Sequence, residues 1–203
     1  GSAGDGGRMQ RTAVLHQRRF VSDAATLALV SLPGIRASAF KHHHFAPGSE
    51  PLVVTSADPV ARVVYELNAR PAAIEYARVS GVPASRYDAY HAHPAVMAMG
   101  SRCYVRSAMQ VLEDGAIQFA CAIEEGVVLS VGTSTGILSS LEAQVSALER
   151  ELGGPPLVTI GFDCVGRLAE LDELGRRADA AEQFDGMHVN QTLTGIALSL
   201  DRA

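Results

Sequence analysis

Apolar residues recur along this chain at two spacings, and each forecasts a different element. Leu138, Leu141, Val145, Leu148 and Leu152 step by three and four, which puts them on one helical face. The spacing predicts a helix over Ile137–Leu152, closed by Gly153-Gly154 and Pro155-Pro156. A second helix opens at Pro71 and ends at Gly81. A third, over 167–183, turns Leu168, Leu171, Leu174, Ala178 and Ala181 inward and pairs Asp172 with Arg176 and Glu173 with Arg177 outside. Ile117, Phe119, Cys121 and Ile123 alternate instead, so 116–123 reads as a strand. With 96–99, 102–112 and 127–131 it makes a meander turned at Asp114-Gly115 and Glu124-Glu125-Gly126.

Further strands are expected at 11–16, 24–30, 52–55 and 62–67. Residues 157–162 are apolar almost without interruption, as a central strand covered on both faces would be. A turn falls at Asn68-Ala69. Alanine at positive φ costs ~1 kcal/mol, so a change of turn type is expected there. Leu32-Pro33-Gly34 breaks the pattern, and Ala46-Pro47-Gly48-Ser49-Glu50-Pro51 reads as an interdomain linker. The fold class is α+β: a mixed, largely antiparallel sheet with about three helices.

Residues 187–200 read as one strand after the turn signal Asp185-Gly186. One face carries Met187, Val189, Gln191 and Leu193. The other carries His188, Asn190, Thr192 and Thr194 and then turns apolar at Ile196, Leu198 and Leu200. A face polar at one end and apolar at the other suits a pocket with a hydrogen-bonding mouth. It equally suits a strand whose polar half is solvated.

Composition narrows the partners. The chain has 203 residues, 47% hydrophobic and 19% charged, enough for a sizeable core. A net charge of −5 and 5% aromatic residues with no Trp argue against a nucleic-acid partner, which needs a basic field and stacking platforms. No apolar run approaches the ~20 residues of a membrane span, so no membrane partner is expected. Cys103, Cys121 and Cys164 are odd in number and unclustered, which reads as reduced and cytoplasmic.

Several motifs follow one another in a familiar order: 53–59 (VVTSADP), 64–68 (VYELN), 70–73 (RPAA), 104–107 (YVRS), 163–167 (DCVGR) and 186–195 (GMHVNQTLTG). In this order they resemble the C-terminal domain of FIST proteins, a family of intracellular sensory and signalling proteins. The glycine-rich start, 1–7, resembles a segment late in the FIST N-terminal domain. The resemblance implies that residues 1–45 are the end of a partial α/β domain and that 46–203 form a sensory domain. It also implies a small-molecule ligand and a signalling partner, a histidine kinase or a cyclic-dinucleotide enzyme.

Candidate ligand-binding residues are Asp163, Cys164, Arg167, His188, Asn190, Gln191 and Thr192. Asp163 to Arg167 stand where a strand ends and a helix begins, a place where α/β sheets bind ligands. Asp163 as a helix cap and Arg167 as a surface partner are the structural alternatives. Cys164 with His188 as its base would make a cysteine-dependent enzyme, and Cys164 as a small buried hydrophobe is the alternative. Some FIST-domain proteins are described as haem-based nitric oxide sensors, which makes haem the candidate cofactor and His188 its candidate ligand, with a core histidine hydrogen-bonded to Asn190 or Asp163 as the alternative. The run His42-His43-His44 reads as a surface feature, and no histidine or cysteine spacing matches a zinc site. We read the chain as a sensor rather than an enzyme.

Overall fold

A computed structural model describes residues 3–5, 8, 10–100, 102–167, 170, 183–184, 187–188 and 191–201. It divides into two compact units. The first comprises Gly1–His42, Glu142–Met187 and Thr192–Ala203, the second His43–Leu141 and His188–Gln191.

The chain opens on a hairpin, β1 (Val14–His16) and β2 (Arg19–Val21). Its turn residues Gln17 and Arg18 have φ 46° and 65°, the doubly left-handed geometry that matches strand twist. The strand expected over 24–30 does not form. That stretch joins no ladder, and Leu27 and Leu29 are 94% and 99% exposed. β3 (Ile35–His42) begins instead just past Pro33-Gly34, where the sequence signals only a break.

β4 (Phe45–Asp58) runs straight through the stretch expected to be a linker. Pro47 pairs with Gly132 and Pro51 with Ser130, on either side of a register shift. A bulge is one of the few places a strand accepts proline, since the missing N–H then breaks no regular ladder. Gly48 is required there, because a Cβ would stand 2.5 Å from the Val131 carbonyl oxygen. β5 (Val63–Leu67) and β6 (Arg70–Pro71) close around Asn68 and Ala69, with φ 52° and 56°. The tight left-handed turn is thus kept despite the alanine, contrary to the expected change of type.

α1 (Ala72–Ser80) starts directly after Pro71 and is ended by Gly81 at φ 71°, whose N–H donates to the Ala77 carbonyl. Ala84–Ala92 is a 3₁₀ segment. The forecast meander follows as β7 (Ala95–Met99), β8 (Arg102–Arg106), β9 (Ala108–Val111), β10 (Ile117–Phe119) and β11 (Val128–Ser134). The strand expected over 102–112 is broken at Ser107, and that over 116–123 is shorter. The second unit's sheet has the order β8-β7-β11-β4-β5-β10-β9, with β6 beside β5 and antiparallel pairing throughout. Leu52, Val64, Leu67, Tyr76, Ile117 and Phe119 are the centre of its core, each side chain's burial contributing ~1.5–3 kcal/mol.

α2 (Ile137–Leu152), which belongs to the first unit from Glu142 onward, spans the residues its periodicity predicts. β12 (Val158–Asp163) follows, then the two-residue strands β13 (Gln183–Phe184) and β14 (Met187–His188), and β15 (Leu193–Leu200). The sheet order is β12-β15-β3, all antiparallel. Leu148 and Leu152 of α2 pack on Phe40, Ala197 and Leu193. Ser38 Oγ donates to Glu151 Oε1 at 2.8 Å and holds the helix over that face.

Three expectations change here. β12 is not a covered central strand: among the described residues β15 is its one sheet neighbour, and Ile160 is 49% exposed. An unbroken apolar run does not distinguish the two cases. Residues 187–200 are not one strand, because Gln191 adopts φ 44° and separates β14 from β15. His42 and His44 are buried rather than on the surface, at 3% and 1% exposure. The expected helix over 167–183 lies mostly outside the described residues. Helical backbone is present at Val165, Gly166, Arg167 and Glu170, and Gln183 is already in a strand. The class is α+β with mostly antiparallel sheets, as the patterning predicts.

Candidate functional site

The register of the three-stranded sheet sets Asp163 opposite Leu193 and Leu193 opposite His42. Directly paired residues point to the same side of a sheet, so Asp163 and His42 flank Leu193 on the face that α2 covers. Arg167 lies four residues beyond Asp163, one helical turn on, and reaches back over this row. Its Nε donates to Asp163 Oδ1 at 2.6 Å. Its Nη1 stands 3.1 Å from His42 Nδ1. Arg167 is 1% exposed and is among the largest fully buried side chains.

Asp163 Oδ1 also accepts the Cys164 backbone N–H at 3.0 Å, so one oxygen holds both the start of the turn and the guanidinium. Burial pushes the Asp163 carboxyl above the usual carboxylate range, against the opposing pull of Arg167. Desolvation wins because both partners of the pair are withdrawn from water. Cys164 is partly buried and forms no disulfide, and its N–H also points at the Thr192 carbonyl, 3.2 Å away. Thr192 and Thr194 are buried, and among the described residues the Thr194 hydroxyl has no hydrogen-bond partner.

Gln191 belongs to the second unit and is 1% exposed. Its Nε2 donates to the His91 carbonyl at 2.7 Å, and its Oε1 accepts from Ser107 Oγ at 3.0 Å. The two bonds hold a non-glycine residue in the left-handed region, which costs of order 1 kcal/mol. Ser107 closes the 104–107 motif and is also where β8 gives way to β9. In this unit burial also pushes up the Cys121 thiol, beside Arg106. The structure therefore joins Asp163 to Arg167 and ties Cys164 to Thr192 through the backbone, while Gln191 has partners of its own. Asn190 and the side chain of His188 lie outside the described residues, so the expected convergence of these two with Asp163 and Arg167 does as well.

His42 and Ser107 are the partners sequence reasoning did not select. His42 was hidden because the break at Pro33-Gly34 concealed β3, whose alternation puts Phe40 and His42 on one face. Ser107 sits in a quoted motif, but its partner is fixed only by the long-range fold. Among the described residues no group of three or more His, Cys, Asp or Glu is placed to hold a metal ion.

The chain thus sets a buried arginine against a partly buried aspartate where a strand hands over to a helix, on a largely antiparallel α+β scaffold. The FIST N domain model matches residues 1–70 and the FIST C domain model matches 72–196. The chain belongs to the FIST family, whose domains are generally described as small-ligand sensory domains in signal transduction. No curated protein and no solved structure matches it. No helix among the described residues is long and apolar enough to cross a membrane.

Proposed function

We propose that this chain is an intracellular sensor that binds a small molecule at the end of β12 and passes its state to a signalling partner. The partner class is a histidine kinase or a cyclic-dinucleotide enzyme. Residues 72–196, the span of the FIST C domain match, carry the sensory role. Asp163, Cys164, Arg167 and Thr192 serve the ligand in the first unit.

The observation that carries this reading is the Asp163–Arg167 ion pair, 2.6 Å long and largely withdrawn from water where the strand becomes a helix. A buried pair gains little stability over well-packed apolar residues, so its presence favours a role beyond holding the fold. A carboxyl pushed upward is also prepared to change charge when a ligand group arrives.

A thermal-shift screen of carboxylate, amine and neutral metabolites on the full chain tests the reading. A ligand selective for the folded state raises the midpoint, by ~2.7 kcal/mol of stabilisation at a hundred times Kd. Asp163→Asn should abolish the shift without unfolding the chain. A Soret band after addition of haem would replace this reading with a haem sensor. Selective alkylation of Cys164 at neutral pH would favour the thiol enzyme.

A further inference from the structure

Residues 24–32 form an apolar stretch that the fold leaves in water. Every residue from Asp23 to Gly34 is exposed, and Leu27, Leu29 and Val30 are 94%, 99% and 66% exposed. No charged residue falls between Asp23 and Arg36, and proline enters only at Pro33. The composition suits a strand, yet among the described residues the stretch joins no ladder. Its start is tied down. Ser22 Oγ donates to the Thr12 carbonyl at 3.1 Å, and Thr26 Oγ1 to the Leu15 carbonyl at 3.3 Å, beside the β1–β2 hairpin. That hairpin is a separate two-stranded sheet with Phe20 76% exposed, and two strands alone are marginal in water.

The sequence of the stretch specifies what can cover it. Read outward from Ala28 in either direction the pattern repeats: Leu27 answers Leu29, Thr26 answers Val30, Ala25 answers Ser31 and Ala24 answers Leu32. Two copies laid antiparallel about Ala28 set leucine against leucine and one β-branched residue against another. No like charges meet, because Asp23 falls opposite Pro33. We propose that residues 24–32 are the self-pairing strand of a two-fold dimer, each copy adding its segment antiparallel to that of a second copy of this chain. Such an interface is isologous and closes after one pairing. Thr26 holds the segment to its own hairpin, so each copy offers the side turned away from β1. Nine residues are too few for a stable interface, but with the hairpin, 14–32, the patch approaches the roughly 20 residues a side of a standard one. The pairing does not rest on the ligand reading.

Sedimentation equilibrium of the full chain should give twice the chain mass. Leu27→Glu together with Leu29→Glu sets like charges across both central pairs and should weaken the dimer by about tenfold or more. Leu27→Glu with Leu29→Lys sets opposite charges across the same pairs and should restore most of the association. Both positions are exposed, so both variants should keep the far-ultraviolet circular dichroism of the wild type. Ala28→Cys reads the register directly. At the two-fold axis residue 28 faces its own counterpart, with Cα atoms about 4.5–5.5 Å apart, within reach of a disulfide. That variant should crosslink into a covalent dimer on mild oxidation, whereas wild type and Thr26→Cys should not. A monomeric wild type, open-ended polymers, or a dimer undiminished in Leu27→Glu/Leu29→Glu overturns the proposal. Failure of Ala28→Cys to crosslink overturns it as well.

Discussion

Asn68 Nδ2 donates to Glu75 Oε1 at 2.9 Å, tying the β5–β6 turn to the middle of α1. The same amide nitrogen reaches the Pro51 carbonyl at 3.1 Å, and Asn68 Oδ1 accepts the Val53 N–H at 2.9 Å. Glu75 in turn takes two bonds from Arg78, at 3.0 and 2.8 Å. Arg78 also meets Glu50. A carboxylate only 3% exposed therefore stays charged, satisfied from three elements. Two of the quoted motifs, 64–68 and 70–73, meet at this junction, and its task is architectural.

The Glu75 network makes acid stability testable. Hydrogen bonds from Arg78 and then Asn68 outweigh burial and lower the Glu75 carboxyl from 4.5 to about 2. A depressed acid contributes stability above its unfolded value and loses it as pH falls towards the folded one. The contribution is complete above pH 4.5 and declines as pH falls to about 2. Glu75→Gln should lower the neutral melting temperature and flatten the acid limb in that window, measured by circular dichroism melts across pH.

Ala69 offers the reverse case, a substitution that should help. Its φ of 56° is a region alanine enters at a cost and glycine enters freely. Ala69→Gly should stabilise the chain by about 1 kcal/mol in urea unfolding, with an unchanged slope against denaturant.

Truncation separates useful from harmful cuts. Leu27, Leu29 and Phe20 are strongly exposed, whereas β3 is an outer strand of the first unit's sheet. A chain starting at Gly34 should be more soluble than the full one, as judged by light scattering. A start at Ser49, at the boundary that composition suggests, removes β3 and part of β4, and should yield insoluble protein.

These cases show where the sequence was legible. Local periodicity located α2 to the residue and α1 to within one, because an amphipathic stripe with proline and glycine at its ends specifies a helix without outside help. Asp114-Gly115 likewise named its own turn, with Gly115 at φ 81°. What escaped depended on distant partners. β12 was read as covered because an apolar run reports hydrophobicity and not the number of neighbours. The Pro-Gly stretch in β4 was read as a linker because a bulge opposite Val131 cannot be seen locally. At the candidate site Asp163 and Arg167 were visible as polar residues of a motif placed where a strand ends and a helix begins, while His42 entered only through the register of a strand far away in the chain.

That register has a kinetic consequence. β15 is the middle strand of its sheet, and it pairs with β3 from almost the opposite end of the chain, Leu200 meeting Ile35. At ~5–20 residues per second on the ribosome, β3 emerges and then waits on the order of ten seconds or more for the strand that completes it. During that interval most of the second unit's sheet, β4 to β11, can already close. The first unit is therefore the late, high-contact-order part of the molecule, and β3 needs protection from neighbouring nascent chains until the last strand is made.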